Sequence, residues 1–156
     1  MKQLVIMRAG LEDASDIKAI EVECGLSPWS VDSYRAEIGR PDSVILKAQS
    51  SDRQIVGFIT GRIVRSADIE AEIHNIGILP RLQNQGIGKR LFSEFSRICG
   101  TRGAVRIWLE VRASNSRAQA FYLSQGFDRG GIRQKFYSNP VEDAEILCLQ
   151  LEGDRT

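Results

Sequence analysis

Two stretches of this chain gather residues able to do chemistry. The first is Ile76-Gly-Ile-Leu-Pro-Arg-Leu-Gln-Asn-Gln-Gly-Ile-Gly-Lys-Arg-Leu91, in which Gln83, Gly86 and Gly88 give Q-x-x-G-x-G where a strand passes into a helix. The first N–H groups of a helix have no partner within it, and glycines let a phosphate approach the backbone, so this pattern can build an anion site. It matches neither of two familiar phosphate loops. A Walker loop needs Ser or Thr after Gly-Lys, and Gly88-Lys89 is followed by Arg90; a dinucleotide fingerprint needs a third glycine where Leu91 stands. An ordinary helix-start turn is the plainer reading of the same glycines.

The second stretch holds Glu110, Asn115 and Tyr122. Glu110 is an acid inside an otherwise apolar strand, which is costly unless something pairs with it or uses it. Each residue has a structural explanation: an ion pair from Glu110 to Arg112 or another base, a helix N-cap at Asn115, a core position for Tyr122. Their joint placement shifts the balance away from three separate structural roles. His74, the only histidine, reads as a partly exposed strand residue, and as an alternative base should Glu110 be locked in an ion pair. Trp29 reads as core or rim, and Tyr137 as an exposed strand residue or part of a groove wall.

The elements that must position these residues follow from periodicity. Strands are predicted over residues 3–8, 43–49, 54–64, 71–79, 104–111, 127–137 and 145–151, and helices over 11–23, 29–38, 87–101 and 115–125. Residues 25–28 break the first helix, Ser30 caps the second, and Gly126 follows the last. Along 71–79, strict alternation puts Glu72, His74, Ile76 and Ile78 on one face and Ile73, Asn75, Gly77 and Leu79 on the other. Residues 104–111 are apolar at both parities, which predicts burial on both faces. A strand–helix–strand unit around Gly86 implies one parallel crossover, and the hairpins imply antiparallel partners. The expectation is an α/β (α+β) fold: a mixed, mostly antiparallel sheet with helices on both faces.

The 156 residues suit one domain, expected over 1–152, with a short polar tail at 153–156. Lys+Arg total 21 and Asp+Glu 20, which gives no electrostatic case for general nucleic-acid binding. Cys24, Cys99 and Cys148 are odd in number and form no C-x-x-C pair, so reduced thiols in a cytoplasmic protein are expected, without a disulfide or metal framework. Residues 1–8 lack the pattern of a signal peptide, and no apolar run reaches the ~18 residues of a membrane span.

With Q-x-x-G-x-G after a strand, and Asn115-Ser-Arg-Ala-Gln-Ala-Phe-Tyr-Leu-Ser-Gln-Gly-Phe127 matching N-x-x-A-x-x-F-Y-x-x-x-G-F, the chain resembles the GNAT superfamily of acetyltransferases. More narrowly it resembles the RimI-type enzymes, which acetylate the N-terminal alanine of a small-subunit ribosomal protein. Pro28-Trp29-Ser30, Asn75-Ile76, Leu109-Glu-Val-Arg-Ala-Ser-Asn115, Gly131-Ile-Arg133, Phe136-Tyr137 and Glu142-Asp-Ala144 carry that narrower likeness.

The resemblance implies acetyl-coenzyme A as co-substrate and a protein N-terminal segment as acceptor, with no metal, nucleic acid or membrane partner. It implies a splayed parallel strand pair. The turn of Gln83, Asn84, Gln85, Gly86, Ile87, Gly88 and Lys89 would wrap the pyrophosphate, and Ile76, Gly77 and Ile78 would offer backbone groups to the pantetheine arm and thioester. Asn115 would contact the coenzyme, Glu110 would be the general base and Tyr122 the general acid. Asn84 departs from the Arg or Gly of many relatives, weakening the basic character near the phosphates. Acetylation of a small amine (a polyamine, amino acid or antibiotic) and a non-catalytic acyl-coenzyme A module are the competing readings.

Overall fold

The computed structural model describes residues 3–26 and 28–151. The expected tail at 153–156, and residue 27 of the helix break, lie outside the described residues. The chain runs β1 (Leu4–Arg8), a 3-10 turn (Leu11–Asp13), α1 (Ala14–Cys24), α2 (Val31–Ile38), β2 (Ser43–Ser50), β3 (Ile55–Arg65), β4 (Ile69–Ile78), a 3-10 turn (Pro80–Leu82), α3 (Ile87–Thr101), β5 (Arg106–Arg112), α4 (Ser116–Ser124), β6 (Asp128–Tyr137) and β7 (Glu142–Gln150). The element order is the predicted one. The last strand starts earlier than expected, at Glu142, because its pairing with β6 resumes at Tyr137↔Glu142.

The strands form one sheet in the order β1-β2-β3-β4-β5-β7-β6. All neighbours are antiparallel except β4 and β5. A β-carbon added at Gly57 would meet Leu91 of α3, whereas one at Gly77 would meet Ile20 of α1. Gly57 pairs with Ile78 and Phe58 with Gly77, so these two glycines face opposite sides of the sheet. α1 therefore covers one face and α3 the other. Ile17, Ile20, Tyr34 and Phe58 are buried on the first side, and Ile59, Leu91 and Phe95 on the second. β5 alternates buried Ile107, Leu109 and Val111 with half-buried Arg106, Trp108, Glu110 and Arg112. Burial on both of its faces, expected from its composition, therefore fails, and one face of β5 opens onto a cavity. Among the described residues no helix is long and apolar enough to cross a membrane.

β4 departs from regularity twice. Its ladder with β3 steps from Thr60↔Asn75 to Gly61↔Ile73, leaving His74 without a partner. The Thr60 hydroxyl fills the break, accepting from the Asn75 N–H at 3.1 Å and donating to the Asn75 carbonyl at 3.5 Å. One extra residue reverses the alternation of side chains. Glu72 lies opposite Arg62, which pairs with Glu37 of α2, on the α1 side. Ile78 lies on the α3 side with Leu91, and Ile76 beside Gly88 of α3. The alternation that grouped Glu72 and His74 with Ile76 and Ile78 is thus overturned by the bulge. The second departure is that pairing with β5 covers only Glu70↔Arg106 to Glu72↔Trp108. Beyond Glu72 the two strands part.

Gly61 is required beside that bulge, because a β-carbon there would collide with the Glu72 carbonyl and the Phe95 ring. Neither can yield without moving a strand or the core. Gly61→Ala is expected to cost about 2–3 kcal/mol, read as a lower urea midpoint at unchanged slope.

Candidate active site

A cavity of about 690 Å³ occupies the place where β4 and β5 separate. Its lining comes from four directions: Gly25, Leu26 and Trp29 after α1; Glu72, His74 and Ile76 on β4; Trp108, Glu110 and Arg112 on β5 with Asn115, Ala118 and Tyr122 of α4; and Arg133, Phe136, Tyr137 and Ile146 of the β6–β7 hairpin. Trp108 pairs with Glu72, so Trp108, Glu110 and Arg112 share the α1 face with it. Ile76 reaches the cavity from the α3 face. The cavity is therefore lined from both faces of the sheet.

Glu110 projects into this space with its side chain 30% exposed. Its cationic neighbour is Arg133 of β6 at 3.6 Å, another base than the Arg112 nearest in sequence. Arg112 turns instead to the hairpin. It pairs with Glu142 at 3.3 Å, donates to the Pro140 carbonyl at 3.2 Å, and stacks 4.3 Å over the Tyr137 ring. Tyr137 does line the cavity. Burial, with the Glu110 charge nearby, raises its phenol above the ordinary value.

α4 brings two of the expected residues to the same space. Asn115 accepts from the Ala118 N–H at 3.1 Å, so its side-chain oxygen serves as the N-cap. Gln119, buried, donates to the carbonyls of Arg112 and Ala113 at 3.0 and 2.9 Å and locks the start of α4 to the end of β5. Asn115, Ala118 and Tyr122 follow the i, i+3, i+7 spacing of one helix face. Tyr122 is 5% exposed, wedged edge-on between Phe121 and Phe127. Its hydroxyl makes no hydrogen bond to another described side chain or backbone group, and burial drives its pKa well above the ordinary value. It stays protonated at every physiological pH and keeps a hydrogen to donate.

His74 Nε2 lies 3.4 Å from a Glu72 carboxylate oxygen, while its buried Nδ1 has no hydrogen-bond partner among the described residues. Glu72 is half-exposed at the mouth.

The remaining expected residues divide by strand parity. The Leu79 N–H donates to the Val56 carbonyl at 2.9 Å, so Leu79, Gly77 and Asn75 turn their backbone groups toward β3. Ile76 and Ile78 turn theirs toward the gap. Gly77 is thus a ladder residue whose missing side chain admits Phe58 and Leu26, not a gap-facing donor. The Ile78 carbonyl already accepts from Cys24 Sγ at 3.1 Å and Gln83 Nε2 at 3.0 Å. Gln83 therefore ties the turn to β4 with its side chain.

The turn itself is left-handed at Asn84 (φ 64°) and Gly86 (φ 84°), a conformation that Asn and Gly adopt at least cost. That accounts for Asn84 where Arg is common. No side chain caps α3, so the N–H groups of Ile87, Gly88 and Lys89 are left for an anion. The Ile87 side chain is buried, Gln85 is exposed, and the Lys89 side chain faces a separate shallow groove beside β1 with Arg90 and Arg97. Gly88 sits against Phe121 and Ile76, which joins the turn to the rim of the gap. Gly86→Val, which strains a left-handed position without its β-carbon meeting any neighbour, is expected to raise the KM for a phosphate-bearing substrate about tenfold and to lower Tm by a few degrees. Steady-state kinetics and a thermal melt check it.

The sequence missed Glu72, Trp108 and Arg133 as wall residues. The charged residues Arg106, Glu110 and Arg112 on one parity of β5 and the acid on β4 were the available signals.

Comparison with known proteins places this geometry. The family profile described as "Acetyltransferase (GNAT) family" matches residues 14–127. The chain is 35% identical to the [ribosomal protein bS18]-alanine N-acetyltransferase of Salmonella typhimurium, over 85% of this chain and 87% of that one. It is 34% identical to the N-alpha-acetyltransferase RimI of Mycobacterium tuberculosis, over 91% and 87%. Its fold superposes on the crystal structure of the ribosomal-protein-S18-alanine N-acetyltransferase from Escherichia coli with a TM-score of 0.84 and 28% identity, covering 99% of each chain.

Proposed function

The chain belongs to the GNAT family of acetyltransferases, and from that premise we propose that it moves the acetyl group of acetyl-coenzyme A onto the α-amine of an N-terminal alanine in a ribosomal protein. The observation that carries the acceptor side is the cavity where β4 and β5 part. It opens on the α1 face between Trp29 and the β6–β7 hairpin, where an extended chain end can enter, and it leads to Glu110 and Tyr122. The names of the relatives supply the ribosomal protein and its alanine. The same reading treats residues 1–152 as one domain, supported by the single sheet from Leu4 to Gln150, and places the enzyme in the cytoplasm, where such an acceptor is made.

The donor enters from the α3 face. The open N–H groups at the start of α3 suit its diphosphate, and the gap-facing groups of Ile76 and the Ile78 N–H suit its pantetheine arm. Asn115 contributes at the same rim through its side-chain amide nitrogen, its oxygen being committed to the cap. The acetyl group supplies a thioester carbon open to attack.

Attack requires a neutral amine. An α-amine has a pKa near ~8, so about a tenth is neutral at pH 7; a lysine side chain near ~10.4 is neutral in less than about one part in a thousand. An N-terminal acceptor therefore asks far less of the base. Glu110, 3.6 Å from Arg133, takes the amine proton. As the carbonyl oxygen gains charge, the Ile76 N–H on the parted strand is placed to bind it. Tyr122 then meets the leaving sulfur. A phenol is less acidic than a thiol by roughly 1.5 units, so complete transfer is uphill by about 2 kcal/mol before burial is counted. Burial raises Tyr122 further, so its contribution is a hydrogen bond that strengthens as the sulfur becomes anionic.

The experiment is incubation with acetyl-coenzyme A and short peptides differing in their first residue, read by mass spectrometry. The expected product is an α-N-acetyl peptide from alanine-starting substrates. Acetylation of a small amine alone would overturn the acceptor assignment.

A further inference from the structure

Glu21 takes no part in the chemistry above, yet its side chain is 1% exposed. A carboxylate so far from water persists only when its oxygens are fully engaged. Oε1 accepts two directional bonds, from the Trp29 N–H at 2.7 Å and the Tyr34 hydroxyl at 2.8 Å. Oε2 holds the Lys18 ammonium at 2.7 Å. Trp29 lies past the left-handed end of α1 at Gly25 and outside any helix or ladder, so Glu21 supplies the fixed partner for its N–H. The Trp29 ring stands against Tyr34 (5.3 Å) and His74 (5.8 Å) and forms the α1-side wall of the cavity. One buried oxygen thus sets both the backbone of that wall and the ring that backs it.

We infer that Glu21 is a positioning residue for the acceptor: through the Trp29 N–H and the Tyr34 hydroxyl it fixes the wall against which the incoming chain end is held. This rests on the acetyltransferase reading and deepens its acceptor side. The donor enters from the opposite face, so the effect of Glu21 is confined to one substrate. The division of labour between the two oxygens makes the claim separable from simple stability. Glutamine in place of Glu21 keeps a carbonyl oxygen for Trp29 and Tyr34 and gives up only the charge pair. Removing the Lys18 ammonium at the same time spares the new amide a like partner.

The test compares full-length wild type, Glu21→Leu, Tyr34→Phe and the double variant Glu21→Gln/Lys18→Met. Kinetics with an alanine-starting peptide and acetyl-coenzyme A are measured beside amide hydrogen exchange at Trp29 by NMR, which needs no turnover. Glu21→Leu is expected to raise the peptide KM at least about tenfold, to leave the acetyl-coenzyme A KM within about twofold, and to speed Trp29 exchange. Tyr34→Phe, which removes one bond, is expected to raise the peptide KM about threefold, and it decides the matter if Glu21→Leu fails to fold. The double variant is expected to restore peptide KM and slow exchange even if its Tm is lower. A parallel rise in both KM values, or a double variant as impaired as Glu21→Leu, would overturn the inference. Wild type that leaves every peptide unmodified would strike the acceptor reading instead, and Trp29 exchange would still decide whether Glu21 is its anchor.

Discussion

Tyr122→Phe is expected to lower kcat about 100-fold while the KM for acetyl-coenzyme A stays within about twofold. The ring is what packs between Phe121 and Phe127, and phenylalanine keeps it. The hydroxyl makes no hydrogen bond to a described protein group, so its loss leaves no buried partner unsatisfied and the melting temperature should hold. What disappears is a donor aimed into the cavity whose bond to sulfur strengthens only as the thioester breaks. An interaction of that kind appears in kcat and not in ground-state binding. Stopped assays at saturating donor and acceptor, with a separate coenzyme A titration, read the two quantities. Loss of affinity equal to the loss of rate would remove Tyr122 from the chemical step.

The second large effect is expected at Glu110. Glu110→Gln keeps the shape and the neighbourhood of Arg133 but cannot take a proton. At pH 7 the loss in kcat/KM should be about 100- to 1000-fold. The sign of its pH dependence follows from the acceptor. With a pKa near ~8, the α-amine goes from about one-tenth neutral at pH 7 to about nine-tenths at pH 9, so it needs the base less as pH rises. The variant should therefore recover part of its deficit between pH 7 and 9, and the ratio of wild type to variant should narrow. A ratio that stays flat over that interval would assign the proton to another group, His74 first among them.

Much of this molecule is legible in its residues. The order of strands and helices follows from periodicity, and α3 from apolar residues at Ile87, Leu91 and Phe95. Ser30 and Asn115 cap their helices as their types suggest, accepting from the Ser33 and Ala118 N–H groups. The glycine turn and the strand end bearing Glu110 also stand where their motifs put them. What stayed hidden depends on neighbours distant in sequence. The bulge at His74 is stabilised by the hydroxyl of Thr60 from the adjacent strand, and no count along β4 alone can register it. Arg133 reaches Glu110 from two strands away in the sheet, whereas Arg112, nearer in sequence, is taken by the hairpin. Glu21 did leave a trace: it falls on the apolar stripe of α1 between Ile17, Ile20 and Cys24, where an acid needs a reason. Gly77 has a packing reason that its own strand does not display, since a side chain there would meet Phe58 of the adjacent strand.

The parting of β4 from β5 has a consequence for traffic. A pit with one mouth forces its visitors to queue, the second waiting on the first. This opening is lined from both faces of the sheet, so on the proposed reading donor and acceptor can be in residence together and meet midway. The acetyl group then needs no temporary carrier on the enzyme, and a single compound joining both reactants would thread the protein like a needle through cloth.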